Sequence, residues 1–385
     1  MSQNFDVCIR GSGIVGSTLA LLLAQQRLRV ALVSPANQPV APGPDGHADV
    51  RAYALNSASR QLLTSLRVWP EPESSEAIAA PSAVTPVTPV TRMVVCGDQG
   101  GELVFNAADV DTDALNWIVD VPALERRLAE ALRYQGQVER FSADRALPEA
   151  RLTIVCEGKR SATRAEWGLD YRVNAYPHHA LAARLDLGIP HDGVARQWFS
   201  GQDIVAWLPL GGPSGTQAAM VWSTTIERVQ HLLTLDAEAF LAELQPLCNP
   251  APATLTLTHS PQSWPLELSQ ASPWVAPGLA LAGDAAHAMH PLAGQGLNVG
   301  LGDAAELSKV LQEREYWRDI GDLRLLRRYE RARKAAFAAM GGVTDGLFTL
   351  FNAPASGVQN LRNWGMTGVD RVQPLKRWLA RQAMG

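Results

Sequence analysis

A chain of 385 residues is longer than a single compact core usually allows, so its length favours two domains. Hydrophobic residues make up 46% and charged residues 19%, which is ordinary for a soluble globular protein. The formal net charge of −4 gives no reason to expect nucleic-acid binding. No apolar window is long enough for a membrane span, and no signal peptide pattern opens the chain.

The four cysteines are scattered, without a CxxC pair or a histidine at metal-site spacing: Cys8, Cys96, Cys156 and Cys248. This pattern is typical of free thiols in a reducing compartment. We therefore expect a cytoplasmic protein without a bound metal.

The first fifty residues carry a nucleotide-binding pattern. Residues 5–9 predict a strand, 17–25 a helix and 30–33 a second strand. Between the first strand and the helix lies Gly11-Ser12-Gly13-Ile14-Val15-Gly16. A GxGxxG run at this place in a βαβ unit is a dinucleotide-binding fingerprint, in which the glycines allow a tight turn, a close pyrophosphate and helix–strand packing.

Two residues depart from that fingerprint. The second strand normally ends in a carboxylate that binds the ribose, and this chain has Ser34 there. A serine can still hydrogen-bond a ribose hydroxyl, without the strength of a charged acceptor. Arg10, directly before the first glycine, is either one half of a surface ion pair or a contact near the pyrophosphate.

The middle of the chain changes texture several times. Residues 56–66 predict an amphipathic helix, 70–89 a Pro-rich loop without helical or strand period, and 93–105 a hairpin. A helix is expected over 121–134, opened by Pro122, and a buried strand over 152–156 that ends at Glu157-Gly158. From 169 to 259 alternating aromatic-rich runs indicate an antiparallel sheet, with a helix over 237–246.

Nucleotide-type elements then return. Residues 279–282 predict a strand whose carboxyl end carries Gly283 and Asp284, where open α/β sheets bind ligands. Pro291 opens a glycine-rich loop, and a helix beginning near Asn298 would aim its positive end at the ligand. His287 and His290 lack further ligands nearby, so we interpret both as structural.

These patterns predict an α/β fold with a Rossmann-like nucleotide-binding domain, an interleaved antiparallel-sheet α+β substrate domain and a helical C-terminus. The expected order is a first nucleotide-binding segment at 1–70, the Pro-rich loop at 71–91, a second nucleotide-binding segment at 92–168, the substrate sheet at 169–272, a third nucleotide-binding segment at 273–340 and a helical segment at 341–385, with a basic amphipathic stretch at 371–381.

Three motifs together resemble the class A flavoprotein aromatic hydroxylases: residues 11–16, Glu157-Gly158-x-x-Ser161-x-x-Arg164, and the run from Gly283-Asp284 to Pro291. The run GDAAHAMHPLAGQGLNVGLGD is most similar to the ubiquinone-biosynthesis hydroxylases, and the resemblance covers nearly the whole chain. Glu157 departs from that family, which has Asp-Gly at this place.

The resemblance implies a role for each matching residue. Gly11, Gly13, Ile14, Val15 and Gly16 would bind the FAD pyrophosphate, and Ser34 would replace the ribose-binding acid. Arg51 would reach the phosphate–ribityl side unless it is a solvated charge at a helix start, and Gly283 with Asp284 would hold the ribityl chain. The isoalloxazine ring and the reaction would lie at the loop and helix start, namely Pro291, Gly294, Gln295, Gly296, Leu297 and Asn298.

The implied reaction is hydroxylation of a phenolic ring through a flavin C4a-hydroperoxide, with FAD as cofactor and NAD(P)H as the expected reductant. The substrate would be a polyprenyl phenol of ubiquinone biosynthesis, with peripheral contact to the inner membrane or a quinone-biosynthesis complex. Trp198, Trp207 and Trp222 are candidates for an apolar pocket above the flavin, or for core positions.

Two alternatives stay open from the sequence: a hydroxylase of a soluble aromatic compound, and a degenerate FAD-fold accessory protein. The second is suggested by Ser34, Arg10 and Glu157, three departures on the nucleotide side of the site.

Overall fold

The computed structural model of the protein describes residues 5–35, 49–70, 86–97, 100–144, 147–211, 214–249, 251–252, 254–288 and 296–352, with side chains as far as residue 338. Within these ranges the strands are β1 Phe5–Arg10, β2 Val30–Ser34, β3 Ala52–Leu55, β4 Val87–Val90, β5 Arg92–Cys96, β6 Glu102–Asn106, β7 Asn116–Asp120, β8 Val138–Ser142, β9 Ala150–Val155, β10 Asp170–Asp186, β11 Val194–Ser200, β12 Asp203–Pro209, β13 Gln217–Thr225, β14 Thr256–Ser272, β15 Val275–Ala276, β16 Leu279–Leu281 and β17 His287–Ala288. The α-helices are α1 Ile14–Gln25, α2 Ser57–Ser65, α3 Val121–Arg133, α4 Ala162–Glu166, α5 Ile226–Leu232, α6 Ala237–Leu244, α7 Gly296–Gln312 and α8 Leu323–Asn352.

The nucleotide-binding side is built on a sheet with the order β15-β16-β9-β1-β2-β8. Its neighbours are parallel except for the short β15–β16 pair. Strands such as Val30–Ser34 are almost continuously apolar because a parallel sheet is covered on its faces. The carboxyl ends of β1, β2, β9 and β16 lie along one edge, which brings residues distant in sequence to a single site.

A second sheet has the order β17-β14-β10-β13-β12-β11-β5-β6 and is antiparallel except where β11 runs parallel to β5. Helices α5 and α6 cover one face, because the alternating apolar residues of β10 to β13 form a core cluster with Val229, Leu232 and Phe240. The other face packs on a small sheet with the order β3-β7-β4.

The predicted fold class is confirmed: a parallel nucleotide-binding sheet, an antiparallel sheet domain inserted into its sequence, and helices toward the C-terminus. Two local predictions are wrong. Residues 87–90 are not loop but strand β4, since they pair with β7 despite Pro89. Residues 92–106, predicted in the second nucleotide-binding segment, form β5 and β6 of the large sheet, because β5 pairs with β11.

Residues 71–85 of the predicted Pro-rich loop and the basic stretch at 371–381 lie outside the described residues. None of the helices in the described ranges combines the length and apolarity needed to cross a bilayer.

Candidate active site

The glycine fingerprint joins β1 to α1 as predicted, and the reason why glycine is needed differs among its three positions. Gly11 has φ +110°, and a Cβ there would collide with the carbonyl of Cys156 at the end of β9. A Cβ on Gly16 would collide with the carbonyl of Gly11. A Cβ on Gly13 would meet no atom within 4 Å. The protein itself therefore requires the first and third glycines, while the second faces open space that a ligand can occupy.

The start of α1 is suited to an anion. Gly13 is the N-cap residue of this helix, and among the described residues no side chain caps its first N–H groups. By contrast, Asn56, Ser161, Thr225 and Asp236 each accept a hydrogen bond at the start of their own helices. The free N–H groups and the helix dipole of α1 thus point at the open space beside Gly13.

The side chains of Ile14 and Val15 pack within the protein, so these residues offer their backbone to the open space beside Gly13. Ile14 is 8% exposed and belongs to the main apolar core. Val15 packs between Gly283 and Gly300, where an added Cβ would lie 3.4 Å and 2.7 Å from its methyl groups. Val15 therefore connects the fingerprint to the loop and helix of the third motif.

Ser34 is the last residue of β2, and Gly11 N donates to the carbonyl of the preceding Val33 at 2.9 Å. This places Ser34 beside the fingerprint at the carboxyl edge of the sheet, where a ribose would lie next to the pyrophosphate.

The two other departures from the family pattern contact each other. Arg10 Nε lies 3.0 Å from Glu157 Oε1, and both side chains are largely buried. The hydrogen on this Nε is poorly aligned for a hydrogen bond, so the contact is chiefly an ion pair. The ion-pair interpretation of Arg10 is thus supported, but the pair lies within the site region rather than on the open surface.

Glu157 also organises the start of α4. Its carboxylate accepts from Ser161 Oγ at 2.7 Å, from Thr163 Oγ1 at 2.6 Å and from Thr163 N at 3.1 Å. Burial raises the pKa of Glu157, but these hydrogen bonds and the charge of Arg10 outweigh burial and leave its pKa lowered. The longer glutamate therefore keeps the loop ordered where the family has aspartate.

Arg164 of the middle motif links that motif to the third one. Its guanidinium donates to the carbonyl oxygens of Ala285 at 2.9 Å and Lys159 at 2.6 Å, and it stacks on the ring of Tyr171. Tyr171 in turn donates to the carbonyl of Asp284 at 3.3 Å. Arg164 is 7% exposed, so its role in this structure is to hold the segment that carries Asp284.

Asp284 has the surroundings of a residue that lines a cleft. Its side chain is solvent accessible, although protein atoms surround it closely. Burial among these atoms raises the pKa of Asp284, and electrostatic interaction with Lys159 and His287 partly opposes the rise. Gly283, directly before it, has φ +63° and makes the turn that leads from β16 into the cleft.

A buried carboxylate on α7 holds that turn in place. Asp303 is fully buried, and its Oδ2 accepts from Gly283 N at 2.9 Å and from His287 Nε2 at 2.6 Å. Its Oδ1 accepts from Arg333 Nε of α8 at 2.7 Å. Burial raises the pKa of Asp303, but His287 and Arg333 outweigh burial and leave the pKa lowered. Three segments therefore meet at one charged group.

His287 is structural, as interpreted from the sequence. It is 3% exposed, bonds to Asp303 and stacks on Trp274 at 4.7 Å between ring centroids. Within the described ranges no group of three or more His, Cys, Asp or Glu side chains could hold a metal ion. The four cysteines are free. His290 lies outside the described residues.

The side chain of Asn298 is hydrogen-bonded within the protein. Its Oδ1 accepts from Asn56 N at 3.0 Å and Ser59 Oγ at 2.8 Å, and its Nδ2 donates to Ala54 O at 2.8 Å. The side chain thus ties the start of α7 to β3 and α2. Leu297 likewise buries its side chain in the core, whereas a Cβ on Gly296 would meet no atom within 4 Å.

The helix start at 296–298 therefore presents backbone N–H groups, rather than side chains, to a ligand. Pro291, Gly294 and Gln295, which the resemblance assigns to the flavin ring, lie outside the described residues.

Arg51 is held beside β3 rather than free in solvent. Its Nε donates to both carboxylate oxygens of Asp49, at 2.9 Å and 3.0 Å. Its carbonyl accepts from Arg184 at 3.0 Å, and Arg184 also donates to Val50 O and to Asp120 Oδ1. Arg51 keeps a side-chain exposure of 42%, which leaves some of its guanidinium available to an anionic ligand.

The predicted pocket tryptophans are in the wrong place for a ligand. Trp198, Trp207 and Trp222 are 4%, 3% and 0% exposed and lie in the core cluster between the large sheet and helices α5 and α6. Register explains this, since Val205 pairs with both Trp198 and Trp222 and all lie on the same face. That face is turned away from the small sheet, so the substrate-pocket prediction is wrong.

The described residues fit FAD on structural grounds. The open space at Gly13 and the start of α1 suit a pyrophosphate, Asp284 offers an accessible carboxylate, and α7 begins at Gly296 with the positive end of its dipole. All three lie on the carboxyl edge of one parallel sheet.

Sequence reasoning missed two residues that organise this site, Asp303 and Arg184. The sequence carried a signal for both: Asp303 closes the run that begins at Gly283, and Arg184 is the one charged residue within the apolar segment ALAARL. A charged residue at a buried position needs partners, and both have them.

Comparison with known proteins agrees with this geometry. The family model described as FAD binding domain matches residues 4–341. Ubiquinone hydroxylase UbiL of Rhodospirillum rubrum is 30% identical, over 99% of this chain and 89% of its own. The 3-demethoxyubiquinol 3-hydroxylase of Escherichia coli is 28% identical, over 100% of this chain and 99% of its own.

Among solved structures, p-nitrophenol 4-monooxygenase PnpA from Pseudomonas putida DLL-E4 has a TM-score of 0.75, with 18% identity and coverage of 100% and 99% of the two chains. At this identity the match shows the fold. The chain belongs to the FAD binding domain family of flavin-dependent monooxygenases, with ubiquinone hydroxylases among its relatives.

Proposed function

We propose that this protein hydroxylates the aromatic ring of a polyprenyl phenol in ubiquinone biosynthesis. The observation that carries the proposal is the convergence of Gly13, Asp284 and the start of α7 on one edge of the sheet, in a chain whose relatives include ubiquinone hydroxylases. The balanced reaction inserts one atom of O2 into a ring C–H bond and reduces the other to water. The two electrons come from NAD(P)H.

FAD, when bound, takes up the two electrons and delivers them to O2. The chain's own residues bind and orient it. The N–H groups at the start of α1 would hold the pyrophosphate, Ser34 the ribose, Asp284 the ribityl chain, and Arg51 the phosphate–ribityl side.

The backbone N–H groups of Leu297 and Asn298, at the positive end of α7, would stabilise negative charge on the reduced ring. Because the side chain of Asn298 is fixed to Ala54, Asn56 and Ser59, the helix start cannot turn away from the ring without breaking those bonds. These residues would supply position and charge stabilisation.

The accessory-protein alternative loses its basis at two of its three positions. Arg10 and Glu157 are paired with each other, and Glu157 keeps the hydrogen bonds that order α4. Only Ser34 remains as an uncompensated change.

Two measurements test the proposal. Purified protein with FAD and NAD(P)H should convert 2-geranylphenol to a product with one additional ring hydroxyl group, and deletion of the gene should cause an under-hydroxylated prenyl phenol to accumulate. An unchanged quinone profile after deletion, together with hydroxylation of short soluble phenols alone, would favour the soluble-aromatic hydroxylase.

A prenylated substrate resides in the bilayer, so we also propose peripheral membrane contact. The connection before α8 carries Tyr316 and Trp317, which are 98% and 65% exposed. Arg324, Arg327 and Arg331 are exposed on the first turns of α8, at helical spacing. Interfacial aromatic residues beside an arginine stripe suit an anionic lipid surface.

Flotation with vesicles tests this contact. The protein should float with phosphatidylcholine vesicles that contain phosphatidylglycerol, and Trp317→Ala should reduce the floated fraction several-fold. Tyr134→Ala is the matched control, since Tyr134 is 85% exposed on α3's C-terminal end. Equal flotation of both variants and the wild type would contradict the proposed surface.

A further inference from the structure

The tryptophans Trp198, Trp207 and Trp222 lie on one face of the large sheet, and the opposite face is the better candidate for a substrate surface. Ala182, Val221, Ala206 and Gln197 lie side by side on β10, β13, β12 and β11, in direct register. We name these four residues the Gln197 row. They alternate with the buried tryptophans, so they point to the opposite side of the sheet.

The neighbouring row shows which side that is. Leu208 and Ala219, two residues along their strands from Ala206 and Val221, pack with Ala52 and Ala54 of β3. The carbonyl of Ala54 accepts from Asn298 at the start of α7. The Gln197 row therefore lies on the face of the sheet that is turned toward the nucleotide-binding side.

Contacts of strand β10 locate the Gln197 row relative to the cofactor-binding segments. At one end of this face Arg184 donates to the carbonyl of Arg51, and at the far end of the strand Tyr171 donates to the carbonyl of Asp284. Ala182 lies between these two contacts. The Gln197 row thus begins on a strand that touches the cofactor-binding segments at both ends.

The row is buried except at Val221, since Ala182, Ala206 and Gln197 are 9%, 6% and 6% exposed. Val221 is on β13, an interior strand of the sheet, yet its side chain is partly exposed. A side chain in the middle of a sheet reaches solvent only through a gap in what packs over the sheet. Ala182 and Ala206, which flank Val221 in the sheet, have small side chains, and we call the space beside Val221 on this face the hollow.

Gln197 is the polar residue of the row. It is 6% exposed, and in the described ranges of the chain its amide has no hydrogen-bond partner. Its amide atoms are not fully sealed from solvent, so a ligand on this face can reach them. A buried amide without a partner is unfavourable unless a ligand supplies one.

We infer that the Gln197 row binds the aromatic ring of a neutral phenol, with the Gln197 amide hydrogen-bonded to the phenolic oxygen. An amide both donates and accepts, as a phenol hydroxyl does. The row carries no charged side chain, so it offers no partner for an aromatic carboxylate. The alanines accommodate a flat ring and an apolar substituent. This inference rests on the proposed function and names its substrate side.

The test measures binding without turnover. The FAD-loaded protein is titrated with 2-geranylphenol, and the dissociation constant is read from the change in flavin absorbance. We expect Gln197→Leu to weaken binding at least tenfold while the FAD dissociation constant stays unchanged. Gln217→Leu is the matched control, since Gln217 lies on the same strand face beyond the packed row, and it should bind as the wild type does. Ala206→Val, a variant compatible with a strand, should also weaken binding by filling the hollow.

Selectivity provides a second readout: 4-hydroxybenzoate should bind at least tenfold more weakly than 2-geranylphenol. Equal affinity of Gln197→Leu and wild type, or no response of the wild type to 2-geranylphenol, would overturn the inference. Binding of 2-geranylphenol without its hydroxylation would refute the proposed function, while a loss of that binding in Gln197→Leu would still support this surface.

Discussion

Asp303→Asn is the sharpest test of how the site is held together. The substitution keeps the side-chain volume and removes the charge that three donors share. In the native protein Oδ2 faces Gly283 N and His287 Nε2, and Oδ1 faces Arg333 Nε. An asparagine must place its NH2 group toward one of these sides, where donors would face donors. At least one bond is lost, and the buried charge of Arg333 loses its counterion.

Removing one partner of a buried ion pair destabilises a protein by about 3–5 kcal/mol. We therefore expect Asp303→Asn to lower the free energy of unfolding by about that amount in urea denaturation. Because Gly283 would no longer be anchored directly before Asp284, FAD should also bind more weakly. A rise of at least about tenfold in the dissociation constant corresponds to about 1.4 kcal/mol. Flavin fluorescence titration measures it.

Tyr329→Phe is the matched control for that experiment. The buried Tyr329 hydroxyl donates to Leu281 O at 2.8 Å, two residues before Gly283. Its loss removes a neutral hydrogen bond worth about 1 kcal/mol and leaves Gly283 anchored. Equal weakening of FAD binding by the two variants, or an Asp303→Asn protein no less stable than Tyr329→Phe, would refute the anchoring role of Asp303.

Three further outcomes are expected. Gly13→Ala should leave the unfolding of the apoprotein unchanged and weaken FAD binding, whereas Gly16→Ala should destabilise the apoprotein itself, because its Cβ would collide with the Gly11 carbonyl; paired thermal melts and flavin titrations separate the two. Because the pKa of Glu157 is lowered in the fold, its contribution to stability is present above about pH 4 and declines as the pH falls further, so Glu157→Gln should show a smaller drop in melting temperature on acidification. Trp222→Phe should lower stability by roughly 1–3 kcal/mol, through lost packing and a lost hydrogen bond, without changing the Michaelis constant for the phenol; a changed Michaelis constant with unchanged stability would return this residue to the pocket.

The nucleotide-binding elements were predictable because their signals are local. The fingerprint from Gly11 to Gly16 follows a strand and opens a helix, and the parallel strands are continuous apolar runs. The turn at Gly283 and the helix after it were predictable for the same reason. The structure places both at one edge of one sheet, because the carboxyl ends of parallel strands share that edge.

The large sheet was harder to predict because its organisation depends on pairing between distant segments. Nothing in residues 92–106 indicates that β5 will pair with β11, and β4 contains a proline that favours loop. The face of the sheet on which each tryptophan lies depends on how its strand pairs with its neighbours. Trp198, Trp207 and Trp222 were equally compatible with a pocket or a core until the register was known.

Side-chain partners across the sequence were not predictable at all. Arg10 and Glu157 each looked like an isolated departure from a family pattern, and they compensate for each other as an ion pair. The link from Arg164 to Ala285 joins two motifs that are far apart in the chain. A single sequence carries no signal for such pairs, because only the fold brings them together.

The central claim is that this chain uses FAD to insert one oxygen atom into a phenolic ring. It is tested most directly by incubating the FAD-loaded protein with NAD(P)H, 2-geranylphenol and 18O2, and by analysing the product by mass spectrometry. We predict a hydroxylated product that carries one 18O atom per new hydroxyl, with one NAD(P)H consumed for each coupled turnover. A product whose oxygen derives from water, or a protein that takes up no flavin, would contradict it.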